Sequence, residues 1–406
     1  MTKQVKLKRT LSLSQLVLYG LGTTIGAGIY ALVGELAGIS GYMAPSAFLL
    51  ASVMAALTAL SFAELSGRFP KAAGASLYIN QAFGSHKLAT VVGLLVILAG
   101  VVSSAALINA FIGYLQQFIE IHRLTSILLI CLIIGGLAAW GIAQSVFIAG
   151  FITLIEIGGL VLIIFNSAPV FSELPMRWPE LVPGTDLTHW SSIYAGALLA
   201  FYAFIGFEDM VDVAEEVKDV KRNLPIAIIL TLSITTVIYM LIMLAAVLAI
   251  PPDQLADEKA PLVALFSHFS DEDPIIIGLI GMLAIINGAL IQTIMASRVL
   301  YGLGSRGHLH LAFSKVHSFT QTPLIATATA ISGVFLFALF GKLSVLAEST
   351  SLIILCIFSL VNLSLWKIKK RDPTPENTIV FPMWLPVAGF FVSSGFVLSQ
   401  VLHFFS

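Results

Sequence analysis

The residues best suited to chemistry in this chain lie inside two apolar stretches that glycine interrupts. The first reads Gly22-Thr23-Thr24-Ile25-Gly26-Ala27-Gly28-Ile29-Tyr30 and the second Tyr202-Ala203-Phe204-Ile205-Gly206-Phe207-Glu208-Asp209. Glycine opens backbone conformations closed to other residues and lets a ligand approach the main chain. A helix broken near Gly26 would present the amides of Ala27 and Gly28 at the start of an outer half-helix, where the positive end of the dipole favours a carboxylate. Carbonyls ending the inner half-helix, around Thr23–Ile25, suit a cation or an ammonium group. Tyr202–Gly206 offers the same inventory, so the two breaks together can hold a zwitterion. The same glycines also suit close helix packing, a use that weighs most on Gly22 and least on the Gly26–Gly28 cluster.

Two acids lie deep in apolar surroundings. Glu156 sits in the middle of Ile152-Thr153-Leu154-Ile155-Glu156-Ile157-Gly158-Gly159. A carboxylate there is costly unless paired or protonated, so it either carries a coupling proton or is fixed to a backbone or hydroxyl partner. Glu208 follows the second break and serves transport, stabilises a helix start, or does both. Glu64 is expected at the interface, and Glu215 and Glu216 as surface partners of Lys218, Lys221 and Arg222. Tyr202, at the break, is a candidate aromatic gate; Tyr30, Phe201 and Phe207 are weaker ones. Asn287, Thr293 and Ser297 recur at helical spacing and can face the first break or bond their own helix. Gly22, Ile25, Thr293 and Ser297 make a possible cation site. Catalytic, metal and cofactor sites are not expected, because the chain has no His-Glu-x-x-His, no Gly-x-Ser-x-Gly and no phosphate-binding loop.

The elements that must position these residues are membrane helices. Of 406 residues, 58% are hydrophobic and 11% charged, and the mean hydropathy is +0.98. A soluble domain carries roughly 25% charged residues, so this is an all-α polytopic membrane protein. The net charge of −1 gives no footing to a nucleic acid. Cys131 and Cys356 lie in apolar runs and read as small buried hydrophobes. Eleven spans are expected, at 13–38, 44–66, 88–118, 124–141, 143–166, 191–217, 225–250, 274–302, 323–341, 344–366 and 382–404, each near the 20 residues a bilayer requires. The first and sixth are the interrupted ones. The basic start followed by an apolar run has the look of a signal peptide but lacks a cleavage site, and reads as a retained span.

Basic residues concentrate on one side. Lys3, Lys6, Lys8, Arg9, Arg68, Lys71, Lys87, Lys218, Lys221, Arg222, Arg306, Lys315, Lys367, Lys369, Lys370 and Arg371 fall there, against Arg123, Arg177, Lys259 and Lys342 opposite. The positive-inside rule then puts the N-terminus in the cytoplasm and, after eleven spans, the C-terminus outside. Residues 1–166 form a first five-helix repeat, and 167–190 an extracellular loop, expected to be largely non-helical because of its four prolines. Residues 191–366 form a second, inverted repeat, and 367–406 a cytoplasmic loop with an extra helix. Pro261–Phe269 is expected as a short helix over the outer mouth.

At these residues the chain resembles the amino acid–polyamine–organocation (APC) transporters. Gly22–Tyr30 resembles their first-span signature, Phe62-Ala63-Glu64-Leu65-Ser66-Gly67-Arg68-Phe69-Pro70-Lys71-Ala72-Ala73-Gly74-Ala75 their first cytoplasmic loop, Phe204–Glu208 with Glu215-Glu216-Val217-Lys218 and Arg222-Asn223-Leu224-Pro225 their sixth span and its exit, and Ser297–Gly302 the inner end of their eighth. The resemblance implies the LeuT-like five-plus-five inverted repeat with discontinuous helices 1 and 6. It assigns carboxylate contacts to the amides of Ala27 and Gly28, with Ile25, Gly26 and Gly206 lining the site. Ammonium contacts fall to the carbonyls of Thr24, Tyr202 and Ile205, and gating or coupling to Tyr202, Glu208 and Glu156. Some relatives carry a lysine where Glu156 stands, so a lysine-based account does not transfer. Many have twelve spans. Heavy-chain-linked relatives carry a cysteine between spans three and four; residues 119–124 have none, so a disulfide-linked partner is not expected.

The resulting expectation is a secondary transporter of amino acids, neutral ones mildly favoured, or of related amines. It would sit in the cytoplasmic (inner) membrane, work by alternating access, and couple to protons rather than sodium. An obligate exchanger is the close alternative, and a transport-dead sensor on the same fold the more distant one.

Overall fold

Hydrocarbon offers a backbone amide no partner, so long apolar runs satisfy their polar groups as helices. The computed structural model describes residues 11–405 except 72–73, 117–118, 141–142, 271–274, 306, 318–319, 321 and 376–377; side chains at 26–27, 31, 140, 143–149, 212, 215–216 and 403–405 also lie outside the description. The helices are α1 (Leu13–Ser40), α2 (Ala44–Arg68), α3 (Gly74–Phe83), α4 (His86–Leu115), α5 (Arg123–Trp140), α6 (Ala143–Asn166), α7 (Leu174–Leu181), α8 (Leu187–Tyr202), α9 (Val220–Ala249), α10 (Pro252–Asp257), α11 (Pro261–Phe269), α12 (Ile275–Ser305), α13 (Leu324–Phe340), α14 (Leu343–Arg371) and α15 (Trp384–Phe405). Each of the eleven expected spans coincides with one of them, the sixth being α8 with its irregular continuation. Among the described residues, seven helical stretches are long and apolar enough to cross a bilayer, and an eighth if the bent pair Gly150–Asn166 and Ala168–Leu181 is one span. Arg123–Ala139 and Leu324–Phe340 are shorter apolar helices.

The innermost element is α1, which packs against α6, α8, α9 and α12. Leu16, Ile25, Ile29, Tyr30, Leu32, Val33 and Leu36 are all buried, as expected of a helix that is apolar all round. Ser12 opens it with a capping box to Gln15. Just before it, Leu11 pairs in parallel with Val217, and the Lys218 amide donates to the Leu11 carbonyl at 2.9 Å. The entry to α1 is thereby tied to the exit of the sixth span. Apolar side chains on α4, α5, α6 and α13, such as Leu132 and Phe165, point outward and are exposed, where lipid would cover them.

Two expectations are corrected here. The proline-bearing stretch after α6 is largely helical: Ala168–Glu173 is a 3₁₀ turn and α7 follows. Pro169 and Pro175 sit in the first turns of these elements, where the missing N–H has no intrahelical partner to lose. Glu64 is fully buried rather than interfacial. Arg68, one turn on, holds its Oε1 at 2.6 Å, and Lys369 of α14 reaches both of its oxygens at 2.8 Å. The expected short helix Pro261–Phe269 is α11, which packs on α1, α6, α9 and α12.

Candidate functional site

The sixth span breaks where its sequence indicates. After Tyr202 the hydrogen bonds tighten to the i→i+3 pattern: the amides of Ala203, Phe204 and Ile205 donate to the carbonyls of Ala200, Phe201 and Tyr202. Gly206 then adopts φ +127°, a conformation side-chain-bearing residues rarely hold. A 3₁₀ segment, Phe207–Glu216, follows. The Glu208 carboxylate reaches back to the Gly206 amide at 2.9 Å, so it stabilises this new helix start, one of the two roles open to it.

The first break is not present, which corrects the expectation of a discontinuous helix 1: α1 runs without interruption from Leu13 to Ser40. Glycine permits a break without forcing one, and no proline between them removes a donor. The Thr23 and Thr24 hydroxyls add bonds to the Gly20 carbonyl at 2.9 and 2.8 Å. An unbroken helix commits the amides of Ala27 and Gly28 to its own ladder, so they are not presented as a carboxylate cradle in this conformation. Gly26 and Ala27 are described in backbone only.

The two glycine stretches nevertheless meet. A Cβ on Gly28 would fall 2.4 Å from the Ala203 Cα, and one on Gly206 would fall 2.4 Å from the Thr23 carbonyl oxygen. The Thr23 hydroxyl also donates to the Gly206 carbonyl at 3.0 Å. Above this crossing the Tyr239 hydroxyl of α9 lies 2.8 Å from the Thr24 carbonyl and 3.0 Å from that of Ala203. A donor therefore occupies the position the sequence reserves for an ammonium group. The Tyr202 carbonyl is engaged by the Ile205 amide at 3.2 Å. Nothing local marks Tyr239 as functional, and the sequence reading missed it.

Glu156 lies on the other side of α1. Its side chain is fully buried. Asn287 of α12 donates to Oε1 at 3.2 Å, while Oε2 has no hydrogen-bond partner among the described residues. The Tyr30 hydroxyl donates to the Glu156 carbonyl at 2.9 Å, and the Tyr114 hydroxyl to that of Tyr30 at 2.7 Å. One helical turn earlier, Thr153 presses on Gly22, where a Cβ would lie 2.1 Å from its hydroxyl oxygen. Close packing thus claims Gly22. The Thr293 hydroxyl meets Ser104 at 3.1 Å and that of Ser297 meets Thr327 at 2.9 Å. The possible cation set is therefore distributed: Gly22 faces α6, whereas the two hydroxyls bridge α12 to α4 and α13.

A cavity of about 60 Å³ adjoins the break. Ile205, Glu208 and Asp209 line it from the sixth span, Ala99 from α4, Gln292 from α12, and Thr350 and Phe358 from α14. Gln292 donates to the Asp209 carboxylate at 3.2 Å. The Tyr202 hydroxyl is anchored on Ser103 of α4 at 2.9 Å, linking the break to α4. Asp209 stands in the second glycine stretch, but its pairing with Gln292 gave no sequence signal, because it joins two distant helices.

Helices crossing at a glycine-lined break, a buried unmatched carboxylate and an acid-lined cavity between them define a polytopic membrane protein with an internal polar site. Residues 11–406 match the family described as amino acid permease, and the chain belongs to that family. It is 30% identical over 394 residues to the vacuolar cationic amino acid transporter 2 of Arabidopsis thaliana, covering 91% of this chain and 61% of that protein. It is 26% identical over 398 residues to human cationic amino acid transporter 4, covering 93% and 62%. It is 25% identical over 394 residues to the branched-chain amino acid permease BcaP of Bacillus subtilis, covering 90% and 82%. The chain thus spans about three-fifths of the length of the cationic relatives.

Proposed function

We propose that this chain carries amino acids or related amines across a membrane by alternating access, as a secondary transporter rather than an enzyme. The observation that carries this reading is the cavity at the broken sixth span, where α3, α4, α12 and α14 converge. Substrate passing from it to the crossing of α1 and the sixth span would meet the Thr24 and Ala203 carbonyls through its ammonium group, displacing the Tyr239 hydroxyl. The Gly26-Ala27-Gly28 turn, closed here, would open its amides to the carboxylate. The two five-helix sets would form an inverted repeat with the N-terminus in the cytoplasm.

The sequence favoured a neutral substrate because no acid apart from Glu208 was placed to meet a cationic side chain, and no lysine or arginine near the breaks an anionic one. The cavity wall holds Asp209 as well, and two carboxylates beside the site favour a substrate with a cationic side chain. The names of several relatives point the same way, and that of BcaP points to branched side chains. Coupling falls to Glu156, whose unmatched oxygen in a fully buried site is a seat for a proton.

The test is uptake by the purified full chain in liposomes under an inward proton gradient, with lysine, arginine and leucine as substrates. Gradient-driven uptake of a cationic amino acid is expected, with Asp209→Asn losing it selectively. Glu156→Gln should abolish the gradient dependence yet leave exchange against internal substrate. Accumulation that ignores the gradient in the wild type would remove the coupling role, and binding without any flux would leave a sensor.

A further inference from the structure

We propose that the pocket where α2 ends, α9 begins and α14 ends is an anion site that takes a phosphate group. The cavity there measures about 560 Å³ and is lined by Arg68, Lys221, Arg371, Asp372, Thr374 and Thr378 among others, a size typical of small-molecule sites.

Three observations combine. The first is a rigid cation in the wall. The Arg68 side chain is 3% exposed; its Nε and Nη2 are held by Glu64 at 3.0 and 2.6 Å, and its Nη1 by the Asp372 carbonyl at 2.7 Å. Glu64 is also shared with Lys369, so one buried carboxylate faces two cations. The second is the start of α9. Asp219 precedes it in the left-handed conformation at φ 46°, with no side-chain cap, and the first turn holds no acid. That turn contains Lys221 and Arg222 instead. The Asp219 carbonyl takes the amides of Arg222 and Asn223, but the positive dipole end still favours an anion there, and Lys221, which lines the pocket as Arg222 does not, adds to that demand. The third is charge balance in the lining. Lys221 and Arg371 have no ion pair among the described residues; Asp372, the acid in the lining, is 61% exposed and shared with Arg68.

The shape is equally specific. A Cβ on Gly67 would lie 2.8 Å from the Thr378 side chain, so glycine lets the segment after α14 close over the end of α2. A phosphate in this pocket would bridge α2 and α9 to α14, and so favour one relative placement of these helices. The group can belong to an anionic phospholipid or to a phosphorylated solute.

Thermal unfolding of the detergent-purified full chain distinguishes them. The additions are phosphatidylglycerol, phosphatidylcholine, inorganic pyrophosphate, and chloride at matched ionic strength. A rise of a few degrees with phosphatidylglycerol alone identifies a lipid site, with pyrophosphate alone a solute site, and with both a site open to either. Each shift must vanish in Lys221→Gln/Arg371→Gln and persist in Arg222→Gln. The single Lys221→Gln, expected to lose most of the shift, serves if the double variant does not fold. Equal responses to all four additions, no response, or an unchanged shift in the double variant overturns the site.

Discussion

Gly28 of α1 and Ala203 of the broken sixth span touch backbone to backbone: a Cβ on Gly28 would lie 2.4 Å from the Ala203 Cα. The contact has a mirror one turn away, where Gly206 lies against Thr23. Two main chains are thus held together at the point where one of them abandons its helix, and the carbonyls of both turn toward a single hydroxyl, that of Tyr239. Backbone groups rather than side chains form the centre of the site.

The first prediction follows from that contact. Gly28→Val must push Ala203 away, since the obstructing atom is main chain and cannot rotate aside. Overpacking of this kind costs about 1–3 kcal/mol. Substrate-induced thermal stabilisation should disappear, while the protein still elutes as a monodisperse species. Gly28→Ala should show the same loss at smaller amplitude. Retained substrate affinity in the valine variant would show that the crossing is packing alone.

Much of the fold is legible in the sequence, for a physical reason: a bilayer demands about 20 apolar residues per span, and every expected span coincides with a helix. The break at Gly206 is legible because its φ of +127° needs glycine. The break expected at Gly26 is not there, because glycine allows a conformation that the surrounding ladder and two threonine hydroxyls make unnecessary. Prolines misled at 168–181 for a related reason: Pro169 and Pro175 fall in first turns, where they are accepted, and the short α7 holds Pro179 inside it as well. What stays hidden is partnership across distance. Tyr239 meets Thr24 across 215 residues, and Lys369 meets Glu64 across 305; no local pattern encodes either pair.

Gly206→Ala provides the second prediction. The substitution asks an L-residue to hold φ +127° and sets its Cβ against the Thr23 carbonyl. Strain of about 1–3 kcal/mol is expected, visible as a lowered unfolding midpoint. Uptake should fall further than stability does, because relief of the strain moves Glu208 off the Gly206 amide. A variant matching wild type in both would mean the turn is not held as described.

Tyr239→Phe should separate structure from function. The ring stays packed against Phe48 and Phe204, and only the hydroxyl is lost. The Ala203 carbonyl loses this donor, and the Thr24 carbonyl, still bonded within α1, loses its second one, a cost of about 1–3 kcal/mol. If the hydroxyl stands in for the substrate ammonium, bound substrate repairs the loss, and the stabilisation produced by saturating substrate should be larger in the variant than in the wild type. Equal or smaller substrate stabilisation would show that Tyr239 is a fixed structural donor.

Glu64 gives the last prediction, at the far end of α2. Its carboxylate neutralises Lys369 and Arg68 and accepts the Phe381 amide at 2.9 Å, joining α2, α14 and the approach to α15 in one buried cluster. Glu64→Gln keeps the shape and removes the charge, leaving Lys369 without a counter-ion and Arg68 with the exposed Asp372 at 3.5 Å in its place. Breaking a buried pair in this way costs about 3–5 kcal/mol, so expression should fall and the unfolding midpoint should drop sharply. Lys369→Met should be milder, because Arg68 remains to balance Glu64. Adding Lys369→Met to Glu64→Gln removes the stranded cation and should recover part of the stability, so the two losses should not add. Additive losses, measured by thermal unfolding of the single and double variants, would mean that the two side chains act independently despite their 2.8 Å contact.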